Sequence, residues 1–228
     1  MSAIRYKYVP EETTAQKWMP VLIVGVLGVS GAVALYYFAP QLLGRRFQPI
    51  ELVLMLVMVG TTAIGYYRRL LRGVLSILAY YLATGMAMLI YRPLTPYAGS
   101  VLEALQFNFD ATAAESTTPG YYATTFFLIS LAIWIALELL LLASIKEAKR
   151  SRSSISDRIG GLLVHLVLGV LVASMLFNLY GYGRSRPIHD RALLRRNLNQ
   201  VLYLQYLSHS FWFSRTPPPI YTYDLNVR

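Results

Sequence analysis

Five apolar runs dominate the chain, at residues 18–39, 50–67, 73–91, 121–145 and 159–180. Each approaches or exceeds the ~20 residues a helix needs to cross a bilayer. A spanning segment must satisfy its own backbone hydrogen bonds in lipid, and runs this few and this continuous cannot close a barrel, so all five are predicted helices. Runs two and three are separated only by "RRLLR" (residues 68–72), which predicts a tight helical hairpin. Residues 97–109 and 190–207 place leucines at three-and-four spacing opposite polar positions, the pattern of helices lying in the interface. The pattern predicts an all-α fold: a polytopic transmembrane helical bundle of about five spanning helices plus interfacial helices. It divides into an N-terminal tail and extra helix (1–48), a four-helix core (49–180) and a basic, proline- and aromatic-rich tail (181–228).

Composition agrees with this pattern. Of 228 residues 56% are hydrophobic and 14% charged, far from the roughly 25% charged of a soluble domain. The formal charge of +10 would suggest nucleic acid for a soluble protein. Here the bases flank apolar runs, which points to membrane anchoring and anionic lipid instead, with no nucleic-acid partner. Eleven bases collect on one side, at Arg5, Lys7, Lys17, Arg68, Arg69, Arg72, Lys146, Lys149, Arg150, Arg152 and Arg158, against Arg45, Arg46 and Arg92 in the opposite loops. That asymmetry predicts the N-terminus inside and the tail outside, although five arginines in the tail dissent. The first run is too long for a signal-peptide core and reads as a retained anchor. With no cysteine, disulfides and thiolate metal sites are excluded.

Chemistry-bearing residues within the runs are few. No phosphate loop, metal-spaced cluster or nucleophile elbow appears, so a non-enzymatic protein without catalytic or metal residues is expected. Glu138 lies inside the fourth run, where an ionisable group costs about 2.5 to 3.5 kcal/mol. His165 in the fifth run sits at the same distance from the inner boundary, so a Glu138 and His165 pair is predicted; a protonated Glu138, or one bonded to Thr61 or Thr62, is the alternative. Gly161, His165, Gly169 and Ala173 share a stripe of mostly small residues, as do Ala79, Ala83 and Ala87 in the third run, which marks faces for close helix packing. His165 reads as a packed, hydrogen-bonded histidine or, with the clearance small residues give, as a ligand to a chlorin or haem. No other cofactor is expected besides lipid. Glu51 lies at the outer end of the second run and needs no partner. In the tail, three consecutive prolines predict an extended segment without internal hydrogen bonds. Its order would come from docking Phe211, Trp212, Phe213, Pro217, Pro218, Pro219, Tyr221 and Tyr223 on a partner, most simply another membrane protein subunit.

Two stretches carry a family resemblance: "PIELVLMLVMVGTTAIGYYRRLLRGVLSILAYYLATGMAMLIYRPLTPY" and "SDRIGGLLVHLVLGVL". An acid early in an apolar helix, a base-and-glycine turn, a second helix ending before prolines, and a last helix with closely spaced glycines resemble the colicin V production protein (CvpA) family. On that resemblance Glu51 matches the early acid, Arg72 and Gly73 the turn, and Arg158, Gly160, Gly161 and Gly169 the last helix. It covers residues 49–180; the first run and the tail have no counterpart. The resemblance implies a bacterial inner-membrane protein with an envelope or secretion-related, toxin-production-type role, held in a larger assembly. Two other readings stay open: an accessory subunit of a respiratory or photosynthetic complex, and a small transporter or channel using Glu138 and His165.

Overall fold

The computed structural model describes residues 14–104, 119–144, 155–182, 189–210 and 218–222. Every element among them is a helix: α1 (Thr14–Leu43), α2 (Pro49–Ala104), α3 (Pro119–Ser144), α4 (Ile155–Gly181), α5 (Arg195–Ser210) and α6 (Pro219–Thr222). The first four are long and apolar enough to cross a membrane. Five runs become four helices because α2 carries two of them, joined at Arg69 with φ 65° and ψ 174°.

That single residue makes the hairpin. Leu54 on the first arm of α2 packs with Ala173 and Phe177, and Gly65 on the same arm lies against Gly161 and His165. The second arm runs the other way along α4, from Leu70 at Gly160 to Tyr80 at Met175. The arms therefore flank α4 in opposite directions. Helix α4 permits this because its glycines let backbone meet backbone. A Cβ on Gly161 would stand 2.5 Å from the Gly65 carbonyl oxygen and 2.7 Å from Arg69 Cα.

Helix α1 ends on Gly44 (φ 65°), whose N–H donates to the Pro40 carbonyl at 3.2 Å, the left-handed cap that glycine favours. It packs along the first arm, with Gly28 against Val59 and Trp18 stacked on Tyr67. Helix α3 runs along the second arm, with Trp134 edge-on to Tyr80 and Phe126 edge-on to Tyr91. Ala83 and Ala87 are fully buried and Ala79 nearly so.

Two expectations are corrected and a third, a helix within 190–207, is met in part. The third run was expected to end at Tyr91, with a separate interfacial helix over 97–109. Helix α2 instead continues through Pro93 and Pro96 to Ala104, and residues 105–109 lie outside those described. Proline removes the backbone donor for the carbonyl four residues earlier, here those of Leu89 and Arg92; between them Thr95 Oγ1 donates to the Tyr91 carbonyl at 2.8 Å. The stretch at 190–207 contributes α5, which buries Leu198, Leu202, Gln205 and His209 against the bundle while exposing Leu204 and Leu207. Lastly, the proline segment is not extended at its end. Pro219 opens one helical turn, the position where its missing N–H costs nothing.

Candidate functional site

The bend of α2 gathers charge inside the bundle. Arg68, the last residue before the break, donates from Nη1 to Glu138 Oε2 of α3 at 2.9 Å. Asp157 of α4 accepts the Leu70 N–H at 3.2 Å, so it caps the arm that restarts after the bend. The Arg158 guanidinium lies over the Tyr66 ring, 5.7 Å from its centre. Arg68, Arg72 and Glu138 are all within electrostatic reach of His165.

Glu138 and His165 are at the same level, yet they do not bond to each other. Glu138 is met by Arg68, which the sequence pattern places in the tight hairpin between two apolar runs. The sharp bend pulls that turn in between α3 and α4. Thr61 and Thr62, the other candidates for Glu138, donate to the Val57 and Met58 carbonyls of their own helix. His165 shares its Nδ1 with the Gly161 carbonyl at 3.1 Å. A carbonyl only accepts, so Nδ1 carries the hydrogen and Nε2 presents a lone pair. Gly65 and Gly73 close on the imidazole from the two arms, so α2 itself fills the clearance beside His165. Two polar atoms of this centre, Glu138 Oε1 and His165 Nε2, are buried with no hydrogen-bond partner among the described residues.

The opposite end holds a second buried carboxylate, which the sequence reading took to need no partner. Glu51 is fully buried. Its Oε2 accepts the Gln48 N–H at 2.6 Å and its Oε1 the Leu194 N–H at 2.6 Å. Pro49 is the first helical residue, so Glu51 is the third and reaches back to the residue before the helix, as in half of a capping box. The motif "QPIE" carries that signal. Its second oxygen serves the N-terminus of α5, from 143 positions away in the chain.

The tail packs on its own chain. Ile220 and Tyr221 join the core cluster with Phe126 and Leu202. Asn178 Nδ2 donates to the Ile220 carbonyl at 3.2 Å, and the Tyr182 hydroxyl to that of Pro219 at 2.5 Å. Pro218 and Tyr221 are thus buried within this chain, and Pro219 is partly buried. Burial pushes the Tyr221 phenol well above its ordinary range, with Tyr80 and Tyr81 adding to it. Phe211, Trp212, Phe213, Pro217 and Tyr223 lie outside the described residues. Among the described residues no group of histidine and carboxylate side chains could hold a metal ion.

No curated protein and no solved structure matches the chain. The family model described as colicin V production protein matches residues 50–191, more than half of the chain. That stretch holds the Glu51 carboxylate, the bend with Arg68, and both His165 and Glu138. The chain is a multi-pass membrane protein that belongs to the colicin V production protein family.

Proposed function

We propose that this protein is a non-enzymatic factor of the bacterial inner membrane, active in envelope or secretion-related work, whose working part is the charged centre at the α2 bend. That centre exchanges a proton: Glu138 and His165 are the two groups with capacity left to take one up. The observation that carries the reading is the pair of unpartnered buried atoms, Glu138 Oε1 and His165 Nε2, beside the Arg68 ion pair. An ion pair that served packing alone would be closed by further hydrogen bonds, because an unmet polar group in a dry interior costs about 1 to 3 kcal/mol. An ionisable group within a membrane helix marks a working site by default. The charged groups facing His165 are Arg68 and Arg72 from α2 and Glu138 from α3. The base asymmetry supports a bend on the cytoplasmic side.

The test is reconstitution of the full chain in liposomes enclosing a pH-sensitive dye, with a potential imposed by potassium and valinomycin. Proton uptake above that of empty liposomes is expected, and Glu138→Gln should abolish it while the protein stays folded. Uptake equal to empty liposomes, or unchanged in Glu138→Gln, overturns the reading.

A further inference from the structure

A cleft of about 310 Å³ lies between α1, the first arm of α2 and α4, at the depth of the spanning segments. Its walls are apolar: Val24, Leu35, Met55, Met58, Val59 and Leu166. Small residues of α1 create the space. Gly28 brings α1 close to Val59, whereas a Cβ on Gly31 would meet nothing within 4 Å, so Gly31 faces the opening. From Val24 to Leu35 the cleft follows α1 for roughly 16 Å at 1.5 Å per residue. With roughly 30 Å³ for each methylene-sized group, the liquid share of a water molecule, the volume takes about ten methylenes. That is the shape of one acyl chain.

One end of the cleft is closed and the other carries charge. Toward the α1–α2 turn, Ala39, Phe47 and Met55 seal it as a packed cluster. Toward the bend, Tyr66 follows Thr62 by one turn on α2, and Arg158 precedes Leu166 by about two turns on α4. Both therefore lie on the side of the cleft lining, and the Arg158 guanidinium sits over the Tyr66 ring. Arg69, seven residues beyond Thr62, is exposed at the same end. A basic pocket between membrane helices at the head-group level selects anionic heads. We infer that this cleft holds one acyl chain of an anionic phospholipid whose phosphate is taken by Arg158 and Arg69. The inference is independent of proton exchange at Glu138.

Native mass spectrometry of the full chain in detergent, titrated with dioleoyl phosphatidylglycerol or dioleoyl phosphatidylcholine, tests this. The wild type should bind the first phosphatidylglycerol in preference to phosphatidylcholine. Gly31→Leu, which fills open space, should weaken the first adduct of both lipids by roughly tenfold. Arg158→Gln should lower phosphatidylglycerol binding alone by about fivefold, the worth of one base near an anionic head group, and Arg158→Lys should restore it. Should the leucine variant fail to fold, Gly31→Val gives the same readout with a smaller loss. Equal binding of the two lipids by the wild type, unchanged adducts in the Gly31 variants, or loss of a protein dimer rather than of lipid, each overturns the inference.

Discussion

Two buried carboxylates stand at opposite ends of this bundle and are used differently. Glu51 gives both oxygens to backbone N–H groups, one from its own helix start and one from the start of α5. Glu138 gives one oxygen to Arg68 and leaves the other unmet beside His165. A carboxylate whose acceptors are all used fastens structure, and one with capacity to spare can change its protonation state without unravelling a helix. The side chain is the same in both, and both are buried. What separates them is where the partner's hydrogen comes from: a fixed backbone amide, or a side chain on a bend.

The largest effect is expected from stranding the charge at the bend. Arg68→Leu leaves Glu138 buried without its cation, and removing one partner of a buried pair costs about 3 to 5 kcal/mol in soluble cores. Arg68→Leu with Glu138→Leu should recover much of that, because no unpaired group remains. Thermal unfolding in detergent around this double-mutant cycle gives the coupling. Additive losses would mean that Arg68 and Glu138 do not meet.

At the other end the conservative change should be the damaging one. Glu51→Gln turns one acceptor into a donor facing an N–H, at a cost of about 1 to 3 kcal/mol. The tail should detach before the core melts, so limited proteolysis should cut between α4 and α5 sooner than in the wild type. Glu138→Gln keeps its acceptor toward Arg68 and should leave that cleavage unchanged. If the two glutamine variants behave alike, the contrast between the ends fails.

How much of this was legible in the sequence follows from the kind of force involved. Hydropathy over ~20-residue windows located the spanning runs, because lipid tests each residue of a helix independently of its neighbours in space. The family stretch was legible for the same reason: glycines such as Gly161 and Gly169 mark close helix contact whatever the partner. The partner of Glu138 was not legible, since it depends on a backbone reversal confined to one residue. The sequence "YYRRLLR" reads as a tight hairpin between two apolar runs, and nothing in it says that Arg68 is turned inward. For Glu51 a local signal existed in "QPIE", but the Leu194 N–H carries no side-chain signature at all.

Arg69 itself offers a milder test of the bend. A side chain at φ 65° and ψ 174° occupies a region that is nearly glycine-only and costs on the order of 1 to 3 kcal/mol. Arg69→Gly should therefore raise the melting temperature, worth about 1 kcal/mol after the added freedom of the unfolded chain is subtracted. An unchanged or lower melting temperature would mean that the arginine side chain contributes at least as much as the strain removes.

The smallest effect separates shape from polarity where the tail is seated. Tyr221 is 3% exposed, with its ring centre 5.5 Å from that of Phe126 and 5.9 Å from that of Tyr206. Its hydroxyl accepts from Gln205 Nε2 at 3.3 Å, a long bond, and the same amide reaches the Tyr80 hydroxyl at 3.4 Å. Removing the hydroxyl leaves Gln205 a second acceptor, so Tyr221→Phe should cost less than about 1 kcal/mol. Tyr221→Ala removes the ring and opens a cavity, at about 3 to 5 kcal/mol. A ratio that large would show that the tail is held by packing at its end and by the Glu51 carboxylate at its start. Equal losses from Phe and Ala would instead make the tyrosine and glutamine network the fastening, and that end would then rest on polar contacts as the bend does.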